Sequence, residues 1–210
     1  MIRWCQAGVF QPRFVIHSWN KDREPTEPWT YPDVLKDIIN LIKLHYIFIP
    51  YIYNTAIEAT RNGTPLQRPL CLEYPEDDKI DIDDFNYLFG PSILVLSALE
   101  EKLDSVSAYL PASVDWYEPK EGLLYTGGRR ISLEYKLNDF RYFVKAGSII
   151  PTAPVLKSLN TGFFSRLEFL LFPGPDTSLL YYEDDGVTDF KMGDYNEIDL
   201  SLKKTKDGNI

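Results

Sequence analysis

The sequence has 210 residues, of which 44% are hydrophobic and 14% aromatic, and its formal net charge is −9. This apolar content is sufficient for a buried core and excludes a disordered chain. No run of lysine or arginine exceeds two residues, so an acidic surface would repel a phosphate backbone. Nucleic acid is therefore not an expected partner.

The first residues, MIRWCQAGVFQPRF, lack the continuous apolar core of a signal peptide. No stretch of the sequence approaches the roughly 18 apolar residues that a membrane helix needs. We therefore expect no membrane partner and favour a cytoplasmic location. An amphipathic stretch at the very beginning is unusual for a domain terminus, and truncation explains it better.

The two cysteines, Cys5 and Cys71, are far apart and show no spacing typical of metal ligands. We interpret both as buried, small apolar side chains. The sequence predicts no metal site and no cofactor.

The residues between Thr30 and Asn62 have the periodicity of a helix, because apolar side chains recur at steps of three and four. Thr30 and Asp33 resemble the start of a capping box, and Gly63 suits a left-handed helix end. Pro50 removes a backbone donor and its ring collides with the preceding turn. The pattern therefore predicts two helical pieces.

The second half of the chain has short apolar runs separated by Gly, Pro, Asn and Asp, a pattern typical of a β-sandwich. The stretch 151–162 is a candidate seam between two β units. The predicted strands cover residues 92–98, 105–110, 115–117, 130–136, 141–150, 166–172, 178–183 and 197–203.

One further strand is predicted over residues 64–74, in spite of Pro69, because Leu and other large side chains alternate there. Arg68 lies in this stretch. A buried arginine needs a carboxylate partner, so we assign Arg68 a structural role with Glu73 or an upstream acid as its mate.

A helical segment followed by two β units, with a single strand between them, is awkward as a self-sufficient fold. The end of a (β/α)8 barrel with an appended β-sandwich resolves this. We predict a mainly β chain with an α-helical N-terminal part: the last helices and final strand of a barrel, then two C-terminal β-sandwich domains. The predicted domains are an incomplete barrel end (1–85), a proximal sandwich (86–158) and the start of a distal sandwich (159–210).

Four stretches, in chain order, resemble motifs of glycoside hydrolase family 31, the α-glucosidase and α-xylosidase type. They are RWCQAGVFQPRFVIHSWN (3–20), EPW (27–29), the run from IKLHYIFIPYIY to RPLCLEYP (42–75), and a C-terminal group formed by YLPASVDWYEPKEG, YFVKAGSIIP and YYEDDGVTDFKMGDY. The resemblance covers essentially the whole chain.

The resemblance implies a retaining α-glycosidase, in which one aspartate attacks the anomeric carbon and a second donates the proton. In the family both carboxylates lie upstream of the stretch that this chain matches. We therefore expect no catalytic residue here, and we predict that the chain alone is inactive. The expected partners are an α-glycoside substrate and the rest of the barrel.

The same resemblance implies that His17 lines the sugar subsite and donates a hydrogen bond to a hydroxyl group, with Trp19 as a second substrate-binding candidate. Trp29 is a weaker candidate for stacking on a sugar ring. Val15 and His45 stand where family members usually carry arginine, so the hydrogen bonds around the subsite are expected to differ.

Two acidic clusters resemble catalytic or metal sites by composition. The sequence GDYNE, which contains Asp194, follows EDDG in a β-rich tail, and we interpret Asp194 as a turn residue. Glu183, Asp184 and Asp185 precede Gly186, a hairpin signal. Calcium binding there is a minor alternative.

Two other functions remain open at this point. A non-catalytic carbohydrate-binding β-sandwich would need a row of exposed aromatic side chains, for which Trp116, Tyr117, Tyr181 and Tyr182 are available. A scaffold or oligomer interface is the other, since a bare barrel-facing side over the first 75 or so residues would favour self-association.

Overall fold

Three helices form most of the N-terminal part of the chain. A computed structural model describes residues 1–16, 26–81, 85–100, 102–159, 164–188 and 192–204. The helices are α1 (Ile2–Gly8), α2 (Leu35–Ile47) and α3 (Ile49–Asn62), and two short 3-10 turns, Pro28–Thr30 and Pro32–Val34, precede α2. No helix in these ranges is long and apolar enough to cross a membrane.

The prediction of two helical pieces is confirmed. Pro50 lies in the first turn of α3, where a proline costs no helical hydrogen bond. Gly63 ends α3 with a φ of +76°, as predicted. The predicted start is wrong, because the capping box joins Thr30 to Glu27 and α2 begins only at Leu35, without a side-chain cap.

The remaining elements in the described ranges are short strands and one further short helix, α4 (Leu70–Glu73). The strands are β1 (Gln67–Pro69), β2 (Tyr87–Phe89), β3 (Ile93–Val95), β4 (Ser105–Leu110), β5 (Trp116–Glu118), β6 (Leu123–Tyr125), β7 (Arg129–Glu134), β8 (Tyr142–Lys145), β9 (Ser148–Thr152), β10 (Glu168–Phe172), β11 (Thr177–Asp184) and β12 (Tyr195–Leu202). The prediction of a mainly β chain with a helical N-terminal part is confirmed.

Each of the eight runs predicted from residue 92 onward overlaps a strand, and one of them overlaps two. The run 141–150 is divided into β8 and β9 at Gly147, which has a φ of +78° and donates its N–H to the carbonyl of Phe172. Strands β2 and β6, each only three residues long, were not predicted.

The predicted strand over 64–74 is wrong beyond Pro69. The chain leaves β1 at this residue and turns into α4, so Leu70 is buried while Leu72 is 53% exposed. Cys71 is exposed on α4, against our prediction, whereas Cys5 is buried as predicted. The structural role of Arg68 is confirmed: its Nη1 lies 3.0 Å from Oε2 of Glu73.

The strands form one six-stranded sheet and three two-stranded pairs, all antiparallel. The order in the large sheet is β1-β2-β3-β8-β5-β6, and the pairs are β4-β7, β9-β10 and β11-β12. Pro69 lies on an edge strand, where a missing donor is tolerated. Pro151 belongs to β9, and β9 pairs with β10, which lies beyond the predicted domain boundary at 158/159. The domain boundaries at 85/86 and 158/159 stay predictions.

Both faces of the large sheet are buried along the strands β2, β3 and β8, and each contacts a different layer. Phe89 and Ile93 pack in one hydrophobic core with residues of α1, α2 and α3, whereas Leu88 and Leu94 pack in a second core with residues of β4 and β7. Successive strand residues point to opposite faces, so a three-residue strand contributes to both cores. The sheet is therefore a shared layer between the helices and the β4-β7 pair.

Tyr51 of α3 joins the helices to this sheet by hydrogen bonds as well as by packing. Its hydroxyl donates to the carbonyl of Phe89 over 2.8 Å and accepts from the N–H of Ser92 over 3.2 Å. Gly90, with a φ of +57°, permits the close approach, because a Cβ at this position would lie 2.5 Å from the Tyr51 hydroxyl oxygen.

We predict that Tyr51→Phe lowers the free energy of unfolding by about 1–3 kcal/mol, because a buried carbonyl and a buried N–H both lose their partner. The measurement is urea unfolding of the 210-residue chain. The matched control is Tyr53→Phe, whose hydroxyl donates to Asp184 at the surface. A loss no larger for Tyr51→Phe than for this control would contradict the assignment.

A buried ion pair supports the same sheet on β5. Glu118 is 1% exposed, and its Oε1 lies 3.1 Å from Nη1 of Arg141. We predict that Arg141→Met costs about 3 kcal/mol in chemical unfolding, since the carboxylate is left without its charged partner. Lys136→Met is the control, because Lys136 pairs with Glu134 in solvent. Equal effects of the two substitutions would argue against this role.

Candidate substrate-binding edge

The segment that follows α1 carries the predicted substrate-binding residues. His17 and Trp19 lie outside the described residues, so their placement stays a prediction. Ile16 and Thr26, which flank residues 17–25, both line one surface cavity of about 450 Å³. The other residues of its lining are Met1, Trp4, Cys5, Gly8, Gln11, Arg13, Phe14, Val15 and Tyr31.

Helix α1 is fixed to the β part of the molecule by side chain to backbone hydrogen bonds. The buried Gln6 amide donates to the carbonyls of Leu137 and Asp139 over 2.9 and 2.6 Å. The hydroxyl of Tyr87 donates to the carbonyl of Ala7 over 2.7 Å. Because α1 leads directly into residues 9–16, these bonds set the position from which the candidate subsite begins.

His45 of α2 also contacts the segment that follows α1. Its Nδ1–H donates to the carbonyl of Val9 over 2.6 Å, and its ring centroid lies 5.2 Å from that of Phe14. Burial lowers the pKa of His45, although the hydrogen bond to Val9 acts in the opposite direction. The ring is therefore neutral at pH 7, whereas the family resemblance suggests a charged arginine at this position. Val15, the other departure, is 58% exposed.

Two exposed tryptophans lie in this N-terminal part. Trp29 is 68% exposed, as a stacking residue would have to be, and its contact with a sugar stays a prediction. Trp4 is 73% exposed and was missed by the sequence analysis. The buried residues Ile2, Cys5 and Val9 recur at steps of three and four and leave Trp4 on the opposite side of α1, a face that could be identified only once the burial of α1 was known.

The cavity beside α1 has the chemistry of a binding site without that of a hydrolytic centre. Gln11, Arg13, Thr26 and Tyr31 offer hydrogen-bonding groups, and Trp4 offers an aromatic face. No carboxylate is among the described residues that line it. Retaining glycoside hydrolysis needs two carboxyl groups about 5–5.5 Å apart, and the described lining of this cavity does not contain that pair.

The acidic clusters lie in the β11-β12 hairpin, as the sequence predicts. Asp184 accepts a hydrogen bond from the N–H of Gly186, which has a φ of +64°. Asp185 accepts from the N–H groups of Val187 and Thr188, and these bonds lower its pKa. In the described parts of the chain, no three or more His, Cys, Asp or Glu side chains are placed so that they could hold a metal ion. The carboxylates cap the turn that they precede.

The row of aromatic side chains considered for a carbohydrate-binding sandwich does not form an exposed platform. Trp116 is fully buried, and Tyr181 and Tyr182 are 4% and 2% exposed. Tyr117 is half-buried and contacts Phe172. These residues belong to the interior, because the side chains on a covered face of a strand pack in the core.

Two family models match the chain in sequence order. The model described as the TIM-barrel domain of glycosyl hydrolases family 31 matches residues 1–55, and the model described as the C-terminal domain of the same family matches residues 63–150. The first match contains α1, α2 and part of α3. The second contains β1 to β8 and part of β9.

Proteins of known name are similar over most of this chain. The α-xylosidase of Saccharolobus solfataricus is 28% identical over 98% of this chain, and human neutral α-glucosidase AB is 32% identical over 72%. The crystal structure of an α-xylosidase from Xanthomonas citri superimposes with a TM-score of 0.85 and 30% identity over 95% of this chain.

The chain spans only part of each of these proteins: 28% of the Saccharolobus enzyme, 16% of the human enzyme and 22% of the Xanthomonas structure. Both family models, the relatives and the superposition agree on the same segment of the same family. The chain therefore belongs to glycosyl hydrolase family 31, of which it comprises the end of the catalytic barrel and the C-terminal domain.

Proposed function

We propose that this chain forms the C-terminal part of a retaining α-glycosidase that hydrolyses terminal α-linked sugars. The observation that carries the proposal is the ordered match to the barrel and C-terminal models, whose matched helices and strands pack in one hydrophobic core. In this role the β part holds α1, and α1 and α2 hold the segment that contributes one wall of the sugar subsite.

The chemistry of the reaction determines which groups this chain supplies and which groups the rest of the barrel supplies. Cleavage by double displacement needs a nucleophile and a proton donor, and neither has a counterpart in this sequence at the positions the family uses. The described cavity lining carries no carboxylate. The chain therefore orients substrate, and the rest of the barrel supplies both acids.

The N-terminal part offers a surface suited to the rest of the barrel. Trp4, Val15 and Trp29 are each more than half exposed, and Tyr31 is 40% exposed. Exposed apolar side chains of this size are typical of an interface. In the isolated chain the same surface remains open to solvent, which favours self-association there.

We predict that the purified chain does not hydrolyse p-nitrophenyl α-glucoside or α-xyloside. A chimera in which residues 1–210 replace the matched segment of the Saccharolobus α-xylosidase should hydrolyse at least one of them, because the barrel then carries both acids. The measurement is release of p-nitrophenol. Turnover by the chain alone, or a well-folded chimera inactive on both sugars, would contradict the proposal.

Within that chimera, His17→Ala should lower kcat by about 10²-fold, since a hydrogen bond that strengthens in the transition state is lost. Trp19→Ala should raise KM more than it lowers kcat, because stacking acts on the bound sugar in both states. The control is Tyr53→Phe, whose hydroxyl donates to Asp184 at the surface, and which should leave kcat and KM unchanged. Unchanged kinetics for His17→Ala would remove this residue from the subsite.

A further inference from the structure

A polar cavity lies where α3 meets β9 and β11. Its volume is about 440 Å³, within the range of roughly 300–1,000 Å³ that is typical of small-molecule sites. One wall is a face of α3 between Tyr51 and Asn62, and the other walls come from β9, β11 and the turn before β3. We call it the junction cavity. None of the described residues lines both this cavity and the one beside α1.

Ser148 of β9 has a buried hydroxyl group for which the described residues offer no hydrogen-bond partner. The residue is 3% exposed and lines the junction cavity. Ile150, two positions further along the same strand, packs in the core with residues of α3, and alternate residues of a strand share a face. The hydroxyl therefore lies on the side of β9 that faces α3. A buried polar group of this kind needs a partner, which a bound ligand can supply.

Asn54 of α3 contributes hydrogen-bond donors to the opposite wall of the cavity. It is 6% exposed, and its side-chain oxygen accepts a hydrogen bond from the N–H of Tyr182 over 2.8 Å. This bond fixes the orientation of the amide group, because its oxygen can accept and its nitrogen cannot. The amide nitrogen therefore carries the two hydrogens that can donate to a ligand.

The charged residues of the lining do not favour an anionic ligand. Arg61 pairs with Glu197 over 2.5 Å, and Glu58, on the same face of α3, adds a negative charge. Burial lowers the pKa of Lys145, and the nearby carboxylate of Glu73 acts against that shift. Each cation of the described lining thus has a carboxylate close by. A phosphate or carboxylate ligand would be repelled by these carboxylates, whereas a neutral ligand rich in hydroxyl groups would not.

We propose that the junction cavity binds a short segment of an α-linked oligosaccharide, at a site separate from the substrate-binding edge beside α1. A sugar hydroxyl both donates and accepts, so it can pair with the hydroxyl of Ser148 and accept from the amide of Asn54. The carboxylate of Glu58 can accept from a further hydroxyl. The choice of an α-linked sugar as the ligand rests on the function proposed above. A second sugar site on the same chain raises the affinity for a long oligosaccharide that reaches both sites.

An NMR titration of the ¹⁵N-labelled 210-residue chain with maltotriose and with isomaltotriose tests the site directly. We expect at least one of these trisaccharides to shift the side-chain amide signals of Asn54 and the backbone amide signal of Ser148, with a roughly millimolar dissociation constant. Inorganic phosphate is the anionic probe and should leave both sets of signals in place. The absence of a shift with either trisaccharide, or a larger shift with phosphate, would overturn the proposal.

Ser148→Ala tests the contribution of the buried hydroxyl. We expect the dissociation constant of the trisaccharide to rise roughly fivefold, since one hydrogen bond to the ligand is lost. The matched control is Ser132→Ala, at an exposed serine of β7, which should leave the dissociation constant unchanged. In urea, the free Ser148→Ala chain should lose no more stability than this control, because the hydroxyl that it removes has no partner in the fold. An unchanged dissociation constant, or a larger loss of stability than in the control, would contradict the assignment.

Trp4→Ser separates the two sugar sites, because Trp4 lines the cavity beside α1 and does not line the junction cavity. The response of Asn54 to the trisaccharide should be the same with and without this substitution. A response that Trp4→Ser abolishes would assign the sugar to the other cavity and overturn the proposal. An active chimera together with a silent Asn54 would refute the junction site and leave the proposed function standing. An inactive chimera together with a responding Asn54 would refute the proposed function and support the junction site.

Discussion

A single antiparallel sheet with two buried faces is the constraint on which the rest of the structure depends. Phe89 and Ile93 face the helices, while Leu88 and Leu94 face the β4-β7 pair. A shift of one residue in the register of any of these short strands would exchange the side chains that face the helices with those that face the β4-β7 pair. The helices that end a barrel and the strands that begin a C-terminal domain are thus parts of one packed unit, joined by their interiors and not by a linker.

This sharing explains how the β part fixes the segment that leads to the proposed substrate-binding residues. Gln6 and Tyr87 hold α1 against the β part, and His45 holds the segment that leaves α1. The position of α1 is therefore set by residues more than a hundred positions later in the chain, such as Asp139, whose carbonyl accepts from Gln6. Preorganisation of a binding wall by remote packing is a general requirement for catalysis by orientation.

Local sequence signals allowed much of this fold to be predicted. They failed where tertiary contacts determine the local structure. Pro50 and Gly63 act through their own backbone geometry, so the helix break and helix end were predictable. The alternation after Arg68 indicated a strand, but the chain turns into α4, where Glu73 reaches back to the guanidinium. At the site, the family motif pointed to His17, while Trp4 required knowledge of which face of α1 is buried.

The most direct test of the account is native-state hydrogen exchange of the 210-residue chain in increasing urea. If the helices and the sheet share one core, the slowest amides of α3, around Tyr51, and of β3, around Leu94, should exchange with the same free energy of opening and the same urea dependence. A clearly lower opening free energy for the helices, with the sheet still protected, would contradict the claim that the barrel end and the C-terminal domain form one unit.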